Sequence, residues 1–206
     1  SGMAVGLALL VGVAIGVMLR VPLLNQSLWY DEIVPFGGYS LLGPGAVIGN
    51  YYSQANHVFS QLLIWCSTAL LGADEFSMRL PALMASVLSI VAVWGAAREA
   101  SDDRTALFAA GTMAVMPLNA LAGTDARGYA IAIAGAAVAL WAAARARRTG
   151  SFAAWSLVAF AVALAAWAHM VAIVFALGLG CAWLVELLRR RNAAAPGAVC
   201  GDDRFG

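Results

Sequence analysis

Seven apolar runs set the plan of the chain: Met3 to Leu19, Val58 to Leu71, Leu80 to Ala97, Thr105 to Ala122, Gly128 to Ala144, Phe152 to Ala168 and Val171 to Leu188. A hydrocarbon core needs about 17 to 20 helical residues, and six of the runs meet that length. Val58 to Leu71 falls short, and it carries Ser60, Gln61, Ser67 and Thr68 at spacings of about one and two helical turns. That spacing predicts an amphipathic helix lying in the interface. The segment from Arg20 to Arg79 is too long for a bare connection, and Gly37-Gly38 and Gly43-Pro44-Gly45 punctuate it into short pieces of structure. The pattern predicts an all-α polytopic bundle of about six spans, with further short helices in the 21–79 loop.

Charge tests the span count independently, because short cytoplasmic loops collect basic residues. Every basic residue here is arginine. With six spans and a cytoplasmic N-terminus, Arg98 and Arg104, the cluster Arg145, Arg147 and Arg148, and the cluster Arg189, Arg190 and Arg191 share the cytoplasmic side. Arg20, Arg79 and Arg127 remain outside. Counting Val58 to Leu71 as a span breaks this pattern.

Composition agrees: 63% of residues are apolar, 11% are charged and the mean hydropathy is +0.83, far from a soluble domain. The organisation expected is one transmembrane module over residues 3–191. Ser1 and Gly2 read as a scar left by tag removal, and 192–206 as a disordered or truncated tail. Met3 to Leu19 has no basic region before it and no small-residue cleavage site after it, which favours an uncleaved span over a signal peptide. Cys66, Cys181 and Cys200 match no metal-ligand or redox spacing and read as small apolar fillers.

This topology gathers most of the informative chemistry at the non-cytoplasmic end. Asp31 and Glu32 follow the first span, His57 lies in the same loop, Asp125 and Arg127 follow the third span, and His169 separates the fifth from the sixth. Singly, each has a plainer reading: a hydrated loop pair, a local ion pair worth little, interfacial polar groups, and for Trp29 and Tyr30 ordinary interfacial aromatics. Their convergence at one end favours a site. The cytoplasmic loops offer arginine with Glu99, Asp102, Asp103 and Glu186, which solvated connections explain.

The motif Ser27-Leu28-Trp29-Tyr30-Asp31-Glu32 resembles the first-loop acidic motif of the GT-C membrane glycosyltransferases. The similarity is to the branch holding protein O-mannosyltransferases and lipid A aminoarabinose transferases. Three further likenesses follow in the family's order. Asn56-His57 stands where the family has a His-Pro-Pro-Leu segment, Arg79-Leu80-Pro81 opens the second span, and Asp125-Ala126-Arg127-Gly128-Tyr129 resembles a Glu-Ala-Arg-x-Tyr motif. Val58 and Phe59 replace the family's two prolines, Asp125 its commoner glutamate, and the likeness extends only to the N-terminal module of enzymes more than twice as long.

The resemblance implies an enzyme of a bacterial inner membrane. Such enzymes move a sugar from a polyprenyl-phosphate carrier to a glycan, lipid or protein acceptor on the outer face, usually with inversion. In that setting Asp31, with Glu32 beside it, is the candidate base for the attacking hydroxyl. Arg127 and then Arg79 are candidates for the departing phosphate. Asp125, His57, His169, Tyr129, Trp29 and Tyr30 are expected to line the substrate site. An apolar groove between helices, or beside the amphipathic helix, suffices for the lipid tail. A divalent metal is left open, because the carboxylates and imidazoles show no chelating spacing. The alternative is a catalytically incomplete polyprenyl-phosphate-binding module whose cleft a partner subunit completes. Few polar groups at mid-span and no inverted repeat argue against a transporter. No glycine-rich nucleotide loop or basic aromatic surface points to a nucleotide donor or nucleic acid.

Overall fold

The computed structural model describes residues 2–50 and 56–194, and within them every regular element is a helix. They are α1 (Gly2–Arg20), α2 (Tyr30–Gly38), α3 (Pro44–Gly49), α4 (Val58–Leu71), α5 (Glu75–Ala100), α6 (Asp103–Val115), α7 (Pro117–Ala122), α8 (Tyr129–Thr149), α9 (Phe152–Ala168) and α10 (Ala172–Ala194). Gly2–Leu23, Glu75–Ala100, Tyr129–Thr149 and Ala172–Arg189 are long and apolar enough to cross a membrane. Helix α9, at 17 residues, stands at the short end of that range. The protein is an integral membrane helix bundle. The chain divides into two compact units, Ser1–Ile173 and Val174–Gly206. The described part of the second is α10 from Val174 onward. Ser1 of the expected scar and 195–206 of the expected tail lie outside the described residues, while α10 carries helix as far as Ala194.

In the first unit α5 packs against α1, α4, α6 and α8, and α8 packs on α9. Small residues permit these approaches. A Cβ on Gly135 of α8 would stand 2.7 Å from Ala165 Cβ of α9, and one on Gly95 of α5 would enter the Trp141 ring. Alanines dominate the buried positions of α8 and α9, so backbone closeness rather than bulky interdigitation holds this pair. Leu7, Leu10, Phe108, Phe152 and Phe160 stay exposed, as expected where lipid is the solvent.

Two expected elements differ, both for local backbone reasons. The third span is two helices, because Pro117 has no N–H to give and Met116 is extended (φ −60°, ψ 120°). The second span starts five residues early, at Glu75, because the Asp74 carboxylate caps it by accepting from the Ser77 N–H at 2.7 Å. Pro81 leaves the Ser77 carbonyl without its helical donor, and Ser67 Oγ supplies one at 2.6 Å.

That bond, with a contact between His57 and His169, keeps both ends of α4 at one end of the bundle. Helix α4 therefore lies across that end. Its polar stripe faces inward at Ser60 and Gln61. Ser60 and Gln61 are buried, and Ser40 Oγ meets the Gln61 side-chain oxygen at 2.5 Å. Its apolar side forms the wall of a groove.

Candidate active site

The end of the bundle that bears α4 also bears the turns after α1 and α7 and the start of α5. The opposite end holds Glu99, which pairs with Arg148 at 2.6 Å and Arg145 at 3.5 Å, and the Arg98–Asp103 pair. In the first unit Asp31, Glu32, Asp125, His57, His169, Arg79 and Arg127 therefore lie at the end away from Arg98, Arg145 and Arg148.

Glu32 and Arg79 form the buried floor. Arg79 donates through Nε to Glu32 Oε1 at 2.8 Å and through Nη2 to Oε2 at 2.6 Å, with both side chains sealed from solvent. Its Nη1 also donates to the carbonyls of Leu24 at 3.0 Å and Gln26 at 2.6 Å, which fixes the turn leaving α1. Glu32 accepts from the Ala126 N–H at 2.8 Å and from the Trp29 N–H at 3.3 Å. The second bond ties Glu32, the third residue of α2, back to the residue that caps it. One carboxylate thus joins α2, α5 and the 123–128 turn, with its oxygens committed to four donors.

Asp31, one residue earlier, points the other way. Its side chain is 51% exposed and meets Arg127 Nη1 at 3.0 Å. The Arg127 guanidinium lies 5.0 Å from the centre of the Tyr129 ring, and its Nε is buried without a partner. The Tyr129 ring packs on His169 at 4.3 Å, and His169 stacks on His57 at 4.5 Å. A continuous row therefore runs from Asp31 through Arg127, Tyr129 and His169 to His57. Gly128 permits it: a Cβ there would come 2.0 Å from the Ala168 carbonyl oxygen, so only glycine lets the 125–128 turn rest on the end of α9.

Burial sets the protonation states. His57 is pushed down to about 4, first by burial and then by the positive field of His169 and Arg127. His169 is also lowered, by burial and by Arg127. Both rings are therefore neutral near pH 7. His169 Nδ1 accepts from the Val171 N–H at 3.2 Å, which places the ring proton on Nε2. Asp125 moves the opposite way, up to about 6, through burial and the charge of Glu32; Arg127, a hydrogen bond with the Trp29 side chain and Arg79 oppose the rise. Its Oδ1 is buried and unpartnered.

Of the expected site residues, Asp31, Asp125, Arg127, Tyr129, His57, His169 and Trp29 meet around this cleft, while Glu32 and Arg79 lie beneath it. Tyr30 stands exposed at the start of α2. Among the described residues no three of His, Cys, Asp and Glu cluster as a metal cradle.

Beside the row lies a groove of about 740 Å³ between α4, α5, α8 and α9, lined almost wholly by apolar side chains. Phe59, Leu80 and Ile131 line it, two residues or fewer from His57, Arg79 and Tyr129 respectively, so its polar end adjoins the cleft. Leu88, Val138 and Leu157 line it deeper in the bundle.

The sequence alone placed Arg20 outside, where the first outer loop leaves the first span, and passed over Ser86 and Asn119. In the structure all three are buried together. The signal for them was Pro117 inside an apolar run with Asn119 two residues on, a pattern that demands side-chain donors for the freed carbonyls.

Residues 58–200 match the dolichyl-phosphate-mannose-protein mannosyltransferase family, more than half of the 206 residues. No curated protein and no solved structure matches the chain.

Proposed function

The chain belongs to the dolichyl-phosphate-mannose-protein mannosyltransferase family, and on that premise we propose that its cleft moves a sugar from a polyprenyl-phosphate carrier to an acceptor hydroxyl. The observation that carries the reading is the Asp31–Arg127 pair at 3.0 Å, placed where an apolar groove meets a polar row.

The groove suits a polyprenyl tail, which asks only for apolar surface. The phosphate then arrives beside Arg127, whose buried Nε has a donor to offer and whose Nη1 is engaged by Asp31. A phosphate competes with Asp31 for this guanidinium, so donor binding releases the carboxylate as it fills the anion seat. Asp31 is then free to take the proton of the acceptor hydroxyl as the hydroxyl attacks the anomeric carbon. The bond from that carbon to the phosphate oxygen breaks, and Arg127 stabilises the charge that develops on the phosphate. Neutral His57 and His169 offer N–H donors to phosphate or sugar hydroxyls without adding charge. Asp125, held by Trp29, borders the sugar.

In this reading Glu32 is a positioning residue and Asp31 the base. With attack and departure on opposite sides of the anomeric carbon, the sugar inverts. We place the cleft outside the cytoplasm of a bacterial cell, because Arg98, Arg145 and Arg148 stand at the opposite end of the first unit.

The test is transfer of a labelled sugar from a polyprenyl-phosphate donor by the purified chain in liposomes. Wild type is expected to transfer, and Arg127→Met to lose about 100-fold in kcat/KM. Donor binding without transfer in wild type would instead favour a module completed by a partner subunit, and neither binding nor transfer would overturn the proposal.

A further inference from the structure

Arg20 ends α1 fully buried, yet among the described residues no carboxylate meets it. Its Nε donates to Ser86 Oγ at 2.7 Å, its Nη1 donates to the carbonyls of Gly16 at 2.6 Å and Ala114 at 2.9 Å, and its Nη2 has no acceptor. A guanidinium taken from water and given only neutral oxygens costs stability, so cohesion of the bundle does not account for it.

Its acceptors point to the break between α6 and α7. Pro117 has no N–H for the Met113 carbonyl, and the extended Met116 carries the chain away from the Ala114 carbonyl. Asn119 Nδ2 donates to the first at 3.1 Å, and Arg20 closes the second. Ser86 Oγ, which accepts a hydrogen bond from Arg20 Nε, donates to the Asn119 carbonyl at 2.9 Å, and Ser89 donates to Asn119 Oδ1 at 3.2 Å. At the far end of α7, Gly123 rests so closely on this network that a Cβ would stand 2.5 Å from Ser86 Cβ and 3.2 Å from Arg20 Nε. Asp125 is two residues further on and Arg127 four.

We infer that Arg20 is a positioning residue for the cleft: it ties the end of α6 to the Ser86–Asn119 network on which α7 and Gly123 rest, and so sets where Asp125 and Arg127 stand. Its effect on catalysis rests on the transfer reading above; its effect on the turn does not. A neutral side chain of similar length would remove the desolvation cost of the buried charge but orphan the Ala114 carbonyl and unlatch the start of α7.

Hydrogen exchange of the chain in lipid nanodiscs tests this, with Arg20→Gln, Arg20→Lys and Trp141→Ala compared with wild type. Trp141→Ala removes packing on Gly95, away from the turn. In Arg20→Gln the amides of 118–128 should exchange about tenfold faster while those of α9 stay unchanged, in Arg20→Lys most of the protection should return, and in Trp141→Ala 118–128 should match wild type. Transfer in Arg20→Gln should fall about 10- to 100-fold, as expected of misplaced catalytic groups, with partial rescue by Arg20→Lys. Unchanged exchange at 118–128, or an equal acceleration through α5, α8 and α9, overturns the inference, as does a loosened turn with wild-type transfer. An inactive wild type counts against the transfer reading, and the exchange result then decides the placement by itself.

Discussion

Glu32 and Arg79 meet through two parallel hydrogen bonds, at 2.8 and 2.6 Å, in a place closed to water, although 47 residues separate them in the chain. Asp31, the neighbour of Glu32, is half-exposed against Arg127. Two adjacent carboxylates thus work in different environments. Removing one member of a buried pair leaves the other charge uncompensated, so Glu32→Ala should destabilise the bundle by about 3–5 kcal/mol. Thermal unfolding in detergent reads this directly, and a wild-type midpoint would contradict the bracing role.

Asp125 makes stability depend on pH in an unusual direction. Its folded pKa of about 6 lies above its ordinary value of 3.8, so the folded state holds the proton more tightly. The contribution is full below the ordinary value and is lost as pH rises through about 6. Asp125→Asn should gain on wild type between pH 5 and 7.5, by about 1 kcal/mol once contact with water is allowed for. His57 has the opposite sense. With its folded pKa lowered from 6.5 to about 4, stability is full above 6.5 and falls as pH drops towards 4. His57→Gln should flatten that acid limb. Unfolding midpoints of the variants across pH 4 to 8 check both signs.

Gly128 carries a close approach that its neighbours cannot relieve, since the atom in the way is the backbone oxygen of Ala168. Gly128→Ala should cost about 1–3 kcal/mol and shift Arg127 away from Asp31. The check pairs unfolding with donor affinity, and loss of both is expected.

The groove predicts that tail length matters. Met84 lines its wall, and Met84→Trp should fill part of it. Affinity for a long-chain polyprenyl-phosphate donor should fall about tenfold, equivalent to about 1.4 kcal/mol, while a short-chain analogue is little affected. Equal effects on both analogues would place the tail elsewhere.

Long apolar stretches were legible because lipid leaves little choice of side chain, and α9 occupies the run expected for it, Phe152 to Ala168. The expectation of a site at one end came from the loop arginines placed at the other, Arg98 and Arg104 with Arg145, Arg147 and Arg148. The partners were not. Nothing local distinguishes Asp31 from Glu32, and only the distant Arg79 and the Ala126 N–H make Glu32 the buried one. Arg20 looked like a flank of the first span because its acceptors, Ser86 and the Ala114 carbonyl, lie 66 and 94 residues away. The polar stripe of α4 looked ready for water, and it turned inward because Ser40 and the Ser77 carbonyl required partners.

The most direct test of the central claim is sugar transfer by Asp31→Asn in liposomes, measured beside donor binding and unfolding. The account predicts a variant that folds like wild type and binds donor at least as tightly, since Asp31 no longer competes for Arg127, while transfer falls about 100-fold or more, the loss expected when a general base is removed. Transfer within about threefold of wild type, well under the range for such a base, would contradict it.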